Sequence, residues 1–318
     1  MQKHVVIIGG GFGGLNAAKQ LGNAKDIRVT IIDRRNHHLF QPLLYQVSTA
    51  ALSPADIATP IRAVLSKFKN ILVLLGELIA VDLANKNITT DFGVLSYDYL
   101  ILACGAKHSY FGHNEWETFA PGLKTLEQAI EIRRRILSAF EIAERDTDPE
   151  TQKQNQTFVV VGGGPTGVEM AGSIAEISRY TLSTDFKNIN PSRTRVILIE
   201  TGPRILASFN PKLSERAAED LERLGVHVWT NSRVTSITEK GVYIGREFVA
   251  AATVVWAAGV APAAINQGLK VPLDQGGRVI VGAELNIKEF PEVFVLGDQA
   301  HCLGADGKPL PGLAPVAS

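Results

Sequence analysis

Residues 4–14 read His-Val-Val-Ile-Ile-Gly-Gly-Gly-Phe-Gly-Gly, an apolar run that leads straight into a glycine-rich turn. The apolar run has the length of a buried parallel strand, and a helical pattern follows over residues 14–21. A second apolar run, residues 28–32, ends at Asp33. This order predicts the βαβ unit of a doubly wound α/β sheet.

The glycines of this first loop have separate tasks in such a unit. Gly9 permits the tight turn, Gly11 lets the backbone approach a pyrophosphate, and Gly14 allows the helix to pack on the strand. We assign Gly13 to the same loop. The helix N-terminus offers unpaired N–H groups to an anion, and Asp33 can accept hydrogen bonds from a ribose. The alternative is a flexible loop without a ligand, but the placement of strand, helix and acid favours a dinucleotide site.

Residues 157–200 repeat this pattern. An apolar strand over residues 158–161 precedes a second loop, a helix is predicted over residues 166–180, and a strand over residues 196–199 ends at Glu200. The residues of this loop that we expect to contact a cofactor are Gly162, Gly164, Pro165, Thr166 and Gly167.

Glu200 bears on which dinucleotide the second loop selects. Its carboxylate would bond free ribose hydroxyls and repel a 2′-phosphate, which favours NADH over NADPH. The nearby Arg204 leaves some NADPH use open. Two dinucleotide loops on one chain indicate hydride transfer between two cofactors.

Composition excludes several other classes of function. With 318 residues two domains are expected, and 32 basic residues balance 32 acidic ones, so no basic field attracts nucleic acid. Cys104 and Cys302 are far apart and form no C-x-x-C pair, which argues against zinc, disulfides and a redox dithiol. No apolar run is long enough to span a membrane, and we expect no metal site and a cytoplasmic location.

Between the two loops the pattern is less regular. Helices are predicted over residues 56–68 and 125–144, and strands over residues 71–75, 78–81 and 99–103. We interpret the polar run 145–156 as a solvated connection.

Three further segments resemble the flavoprotein reductases with two dinucleotide-binding domains, the pyridine nucleotide-disulfide reductase-like superfamily. They are residues 99–105, 253–259 and 292–298. The resemblance implies two Rossmann-like domains with ββα-type parallel sheets, the second inserted into the first. FAD would bind residues 1–112 and 277–318, and NADH would bind residues 113–276. Gly105 and Gly259 would lie where the chain leaves each domain, and Asp298 would bond the flavin's ribityl chain.

Within that superfamily the chain resembles type II NADH dehydrogenase. The segments in which this resemblance lies are residues 38–46 (His-Leu-Phe-Gln-Pro-Leu-Leu-Tyr-Gln), 53–58 and 310–317. Disulfide reductases place a cysteine pair just after the first βαβ unit, where this chain has Phe40-Gln41-Pro42. The resemblance implies hydride transfer from NADH to FAD and electron transfer to a membrane quinone, without proton pumping.

The resemblance also implies roles for individual residues. Glu169 would lie beside the nicotinamide and flavin rings, although an acid in a first helical turn also complements the helix dipole. Gln46, with Tyr45, would contact the flavin, against simple loop packing as the alternative. Arg34 could stack on adenine, although Arg34-Arg35 and His37-His38 also fit a solvated cationic face.

Members of that family continue beyond the position of Ser318. We therefore expect the quinone pocket and a peripheral attachment to the cytoplasmic face of the inner membrane to belong to the complete protein, and FAD to be held loosely here. A homodimer is left open. Two other functions compete: a soluble NADH-dependent reductase of a one-electron carrier, rubredoxin-like or ferredoxin-like, and a nucleotide-sensing protein without turnover.

Overall fold

A computed structural model describes residues 2–305 and 307–317. Contacts divide the chain into two compact units. The first unit contains Met1–Phe40, Ala58–Lys107 and Val260–Ser318, and the second contains Gln41–Ile57 and His108–Gly259. The second unit is therefore inserted into the first, as the resemblance implied.

The strands of the described residues are short, as in most α/β proteins. They are β1 Lys3–Ile8, β2 Ile27–Asp33, β3 His37–Leu39, β4 Ala58–Pro60, β5 Ile71–Leu75, β6 Leu78–Asp82, β7 Asn87–Thr90, β8 Gly93–Ser96, β9 Tyr99–Leu102, β10 Ala106–His108, β11 Thr157–Val161, β12 Arg195–Ile199, β13 Val226–Trp229, β14 Val234–Thr238, β15 Gly241–Ile244, β16 Glu247–Ala250, β17 Thr253–Trp256, β18 Val260–Pro262, β19 Val279–Ile280, β20 Asn286–Ile287, β21 Phe290–Val295 and β22 Ala300–His301.

The α-helices vary more in length. They are α1 Phe12–Gln20, α2 Leu44–Ser48, α3 Pro54–Ile57, α4 Ile61–Leu65, α5 Leu126–Arg145, α6 Pro149–Asn155, α7 Pro165–Glu176, α8 Pro211–Arg223, α9 Ile265–Gly268 and α10 Ala314–Ala317. None of the helices in residues 2–305 and 307–317 combines the length and the apolar character that crossing a bilayer requires.

The first unit is built on a six-stranded sheet with the order β20-β21-β9-β1-β2-β5. All neighbours are parallel except β20 and β21. Val5 and Ile7 pack with Leu15 of α1 on one face, while Val6 and Ile8 pack on the other face, where the antiparallel strands β6-β7-β8 supply Ile88. The unbroken apolar run of β1 is thus explained by burial on both faces.

The second unit repeats this architecture. Its parallel sheet has the order β13-β12-β11-β17, which corresponds to β5-β2-β1-β9 in the first unit. Val159 and Val161 pack against the antiparallel strands β14-β15-β16, and Phe158 contacts Phe140 of α5 with ring centroids 5.5 Å apart. The prediction of two ββα-type dinucleotide folds is confirmed.

Two local predictions are wrong. Residues 145–156 contain helix α6, because Asp148 accepts a hydrogen bond from the Thr151 N–H at 3.0 Å and Pro149 occupies the first helical position. Residues 56–68 do not form one helix, because Ala58–Pro60 pairs with β3 as an antiparallel strand between α3 and α4. The helix predicted over 125–144 is confirmed as α5. The helix predicted over 166–180 is α7 followed by a π-helical turn, Ile177–Thr181.

The unit boundaries differ from the predicted domain boundaries at residues 41–57 and 260–276. Residues 41–57 pack with the second unit, because α2 buries Leu44 and Val47, and the Ser48 hydroxyl lies 3.0 Å from the Met170 sulfur of α7. Residues 260–276 pack with the first unit, where Asn266 of α9 donates a hydrogen bond to the Gly277 carbonyl at 2.9 Å.

A core substitution on α5 tests this packing. Phe140 is fully buried, whereas Ile130 of the same helix is 45% exposed. We expect Phe140→Ala to lower the free energy of unfolding by about 3–5 kcal/mol, because a cavity replaces the ring. Ile130→Ala is the control and should change it by less than about 1 kcal/mol. Denaturant unfolding measures both, and equal effects would contradict the described core.

Candidate dinucleotide-binding sites

The first glycine loop is held by the acid at the end of β2. The Gly9 N–H donates to the Ile32 carbonyl at 2.8 Å, which continues the strand pairing into the turn. One oxygen of Asp33 accepts from the Gly10 N–H at 2.6 Å, and the other accepts from the Arg35 N–H at 2.6 Å. The carboxylate therefore ties the loop to the turn that follows β2.

The space around each glycine separates two reasons for its presence. Gly9 has φ +102°, and a side chain there would collide with the Ala103 carbonyl oxygen. A side chain at Gly14 would collide with the Gly9 carbonyl oxygen. No atom of the described residues lies within 4 Å of a Cβ built on Gly11, and its backbone angles are ordinary, with φ −71°. The fold therefore requires Gly9 and Gly14, whereas Gly11 leaves room that suits a pyrophosphate.

Gly13, which was also assigned to this loop, is closely packed. A Cβ at this position would lie 3.2 Å from the Leu296 Cβ and 3.2 Å from the Ala317 carbonyl oxygen. Close packing of α1 against these parts of the first unit favours glycine at this position, and a cofactor contact of Gly13 stays a prediction.

The second loop has the same construction. The Gly162 N–H donates to the Ile199 carbonyl at 2.8 Å. The two oxygens of Glu200 accept from the Gly163 N–H at 2.7 Å and from the Gly202 N–H at 2.6 Å. Gly162 has φ +111° beside the backbone of Ala257 and Ala258.

The space around the remaining glycines of the second loop also repeats that of the first. A side chain at Gly167 would collide with the Gly162 carbonyl oxygen. Within residues 2–305 and 307–317, no atom lies within 4 Å of a Cβ built on Gly164, the counterpart of Gly11. Both loops therefore offer the same open space at the start of a helix.

The two loops differ at the first helical residue. Phe12 begins α1, whereas the exposed Pro165 begins α7 and has no N–H to offer an anion. Thr166 follows, half-buried, in the first turn of α7. The first loop therefore presents one more backbone donor than the second.

The two acids keep acceptor capacity for a ribose. A carboxylate has about four lone-pair sites, and the two backbone N–H bonds on Asp33 use two of them. Glu200 additionally accepts from the Thr201 hydroxyl at 3.2 Å. Arg204 donates to the Ala207 carbonyl at 2.7 Å, so its guanidinium is engaged with its own loop. This arrangement suits unphosphorylated ribose hydroxyls better than a 2′-phosphate.

The two glycines predicted to lie where the chain leaves each domain have a left-handed backbone conformation, which glycine adopts readily. Gly105 has φ +67° and lies in the first unit, and Gly259 has φ +79° and lies in the second. Asp298 is half-buried in a 3₁₀ turn directly after β21. Arg34 is exposed beside Asp33. The structure thus places Gly105, Asp298, Asp33 and Arg34 in the same unit as the first loop.

Gln299 was not predicted, although it is fully buried beside Asp298. Its side-chain oxygen accepts from the Cys104 N–H at 2.9 Å, and its side-chain nitrogen donates to Asn266. Its position next to the predicted Asp298, four residues after the end of β21, is the sequence signal that could have found it. This network connects the turns that follow β9 and β21.

Glu169 lies on α7, one turn into the helix that the second loop opens. It is exposed, and no other described residue forms a hydrogen bond or ion pair with its carboxylate. Partial desolvation raises the pKa of Glu169 above its ordinary value. A carboxyl group of this kind can hold a proton at a higher pH than a solvated glutamate.

Gln46 belongs to the second unit rather than to the unit of the first loop. Its amide donates to the Tyr45 hydroxyl at 3.2 Å, and both residues lie on α2, which contacts α7. The structure therefore brings Gln46 into the same unit as Glu169.

The cysteines do not form a redox pair in the described chain. Both are free, and burial raises the pKa of the Cys104 thiol to about 12. Within residues 2–305 and 307–317, no cluster of three His, Cys, Asp or Glu side chains could hold a metal ion.

Comparisons of the sequence and of the structure with known proteins find the same kind of oxidoreductase. A family model described as pyridine nucleotide-disulphide oxidoreductase matches residues 3–318. The type II NADH:quinone oxidoreductases NdhA and Ndh of Mycobacterium tuberculosis are 47% and 45% identical to 95% of this chain, which covers 67% and 68% of them. The structure of NDH2 from Plasmodium falciparum in complex with NADH has a TM-score of 0.86 at 26% identity, over 95% of this chain and 65% of that one. The chain thus spans about two thirds of the length of these proteins.

The pKa of Glu169 predicts a pH-dependent effect on stability. Because the folded-state pKa is raised, the folded chain favours the neutral carboxyl, and this contribution is lost as pH rises through the folded pKa. Glu169→Gln should therefore raise Tm at pH 7.5 and leave it unchanged at about pH 4, where the unfolded carboxyl is largely protonated as well. Thermal unfolding at both pH values measures this, and a larger gain at the lower pH would contradict it.

Proposed function

Because this chain belongs to the pyridine nucleotide-disulphide oxidoreductase family and, within it, to the type II NADH:quinone oxidoreductases, we propose that it oxidises NADH and delivers the electrons to a membrane quinone without pumping protons. The observation that carries this proposal is the pair of glycine loops, each with an acid at the end of the following strand and open space at its second glycine.

FAD belongs to the first loop in this proposal. Gly9, Gly11 and Gly14 would accommodate its pyrophosphate, and Asp33 its adenosine ribose, with Arg34 beside the adenine. Gly105 and Asp298 lie in the same unit, and Asp298 would bond the ribityl chain. When bound, FAD supplies the hydride acceptor and the electron relay to quinone.

NADH belongs to the second loop. Gly162, Gly164 and Gly167 would give its pyrophosphate access to the backbone. Pro165 and Thr166 would face the cofactor. Gly259 lies where the chain leaves the second unit. Glu200 selects free ribose hydroxyls. We assign the descriptions FAD-binding and NADH-binding to the first and second units on this basis.

The protein's main catalytic task is positioning, because hydride transfer between two stacked rings needs no acid or base from a side chain. Glu169 is the group on α7 suited to hold a proton or to orient the nicotinamide amide, since its pKa is raised and its carboxylate is unpaired among the described residues. We propose that Gln46, in the same unit, contributes with Glu169 to the cofactor-binding surface rather than only to loop packing.

We propose that quinone reduction takes place with the protein attached peripherally to the cytoplasmic face of the membrane. The support is the identity of 45–47% to proteins named as quinone oxidoreductases, of which this chain spans about two thirds. The alternative, a soluble reductase of a one-electron carrier, has less support, because these relatives are named for quinone.

An anaerobic titration tests the proposed function. The purified protein should show a flavin spectrum that NADH bleaches within seconds, and a soluble quinone should restore it. NADPH should bleach it at least about tenfold more slowly, because Glu200 repels a 2′-phosphate. A colourless protein, or a bleached flavin that a rubredoxin-like carrier restores and quinone does not, would contradict the proposal.

A further inference from the structure

We propose that His38 is a positioning residue for FAD, which it holds indirectly by fixing one peptide group of the first loop. The inference rests on the proposed function, in which the first loop binds the pyrophosphate of FAD. His38 Nδ1 lies 2.9 Å from the Gly10 carbonyl oxygen. Since a carbonyl oxygen only accepts, Nδ1 carries the proton and donates it to this bond.

The bond orients the N–H group that a phosphate would meet. The Gly10 carbonyl and the Gly11 N–H belong to one planar trans peptide, so they point in opposite directions. A carbonyl held by His38 therefore turns the Gly11 N–H away from His38. Gly11 is the glycine whose Cβ direction is open for 4 Å, and its N–H donates to no other described residue.

The second loop supports this interpretation independently. The Gly163 N–H is held by Glu200, as Gly10 is by Asp33, and the Gly163 carbonyl accepts from the Leu206 N–H at 2.7 Å. Both loops therefore hold the N–H and the carbonyl of the corresponding residue, Gly10 or Gly163, and so fix the two peptide groups that flank it. The second uses a backbone donor, whereas the first uses an imidazole.

Local structure fixes the position of the imidazole. His38 pairs with Thr59 in the ribbon of β3 and β4, and the Ile61 N–H donates to the Asn36 carbonyl at 3.0 Å. The ring of Phe12 meets the His38 ring edge-on, with centroids 5.0 Å apart. These contacts hold His38 over the loop rather than in solvent, which distinguishes it from the solvated cationic face considered for this segment.

Two substitutions of similar shape isolate the hydrogen bond. Asn places an amide N–H at the same number of bonds from Cα as Nδ1, whereas Leu has the same branched shape and no donor. We expect His38→Leu to raise the Kd for FAD about five- to tenfold, the size of one net hydrogen bond. His38→Asn should stay within about threefold of the wild type, since its donor is kept.

The measurement is the fluorescence of FAD released when the flavin-loaded protein is diluted. Calorimetric titration with NAD⁺ is the internal control, because the second loop does not use His38, and its Kd should be unchanged in both variants. Equal FAD affinity in the Asn and Leu variants, or a parallel loss of NAD⁺ affinity, would overturn the inference. A wild-type protein that holds no flavin would instead contradict the proposed function.

Discussion

The hydrogen bonds from a strand-end carboxylate to the backbone of a glycine loop are the interactions on which both sites depend. Asp33 and Glu200 each accept one N–H from the loop and one from the turn that follows their own strand. Charged acceptors make such bonds about twice as strong as neutral ones. The same carboxylate that would recognise a ribose therefore also shapes the loop that would recognise a pyrophosphate.

Both units use this construction, so the same architecture occurs twice in the chain although the two units have little sequence in common. The order β5-β2-β1-β9 recurs as β13-β12-β11-β17, with a glycine loop after the central strand of each unit. The glycines required by the fold, Gly9 and Gly162, have positive φ and touch backbone. Those that leave room for a ligand are Gly11 and Gly164, where a Cβ would have no neighbour within 4 Å in the part of the chain that the structure describes.

Local patterns were sufficient to predict the strands that flank the two glycine loops, the loops themselves and the strand-end acids, because each depends on neighbours close in sequence. Residues 41–57 were predicted to belong to the FAD-binding domain, whereas contacts group them with the second unit, since α2 packs on α7 through Ser48 and Met170, 122 positions apart. Gln299 and the contact of His38 with the first loop were not predicted, for the same reason. His38 reaches Gly10 only through the register of β3 with β4, and Gln299 reaches Cys104 across 195 positions.

The most direct test of the paired-loop account compares Gly11→Ala with Gly164→Ala. Both positions have ordinary φ values, −71° and −75°, and open space, so alanine should leave the fold intact by circular dichroism. Binding of FAD and NAD⁺ is then measured on both proteins. The account predicts that Gly11→Ala weakens the binding of FAD at least about tenfold and leaves the binding of NAD⁺ unchanged, because a methyl group displaces the pyrophosphate. For Gly164→Ala it predicts the reverse. Unchanged binding in both variants would contradict it.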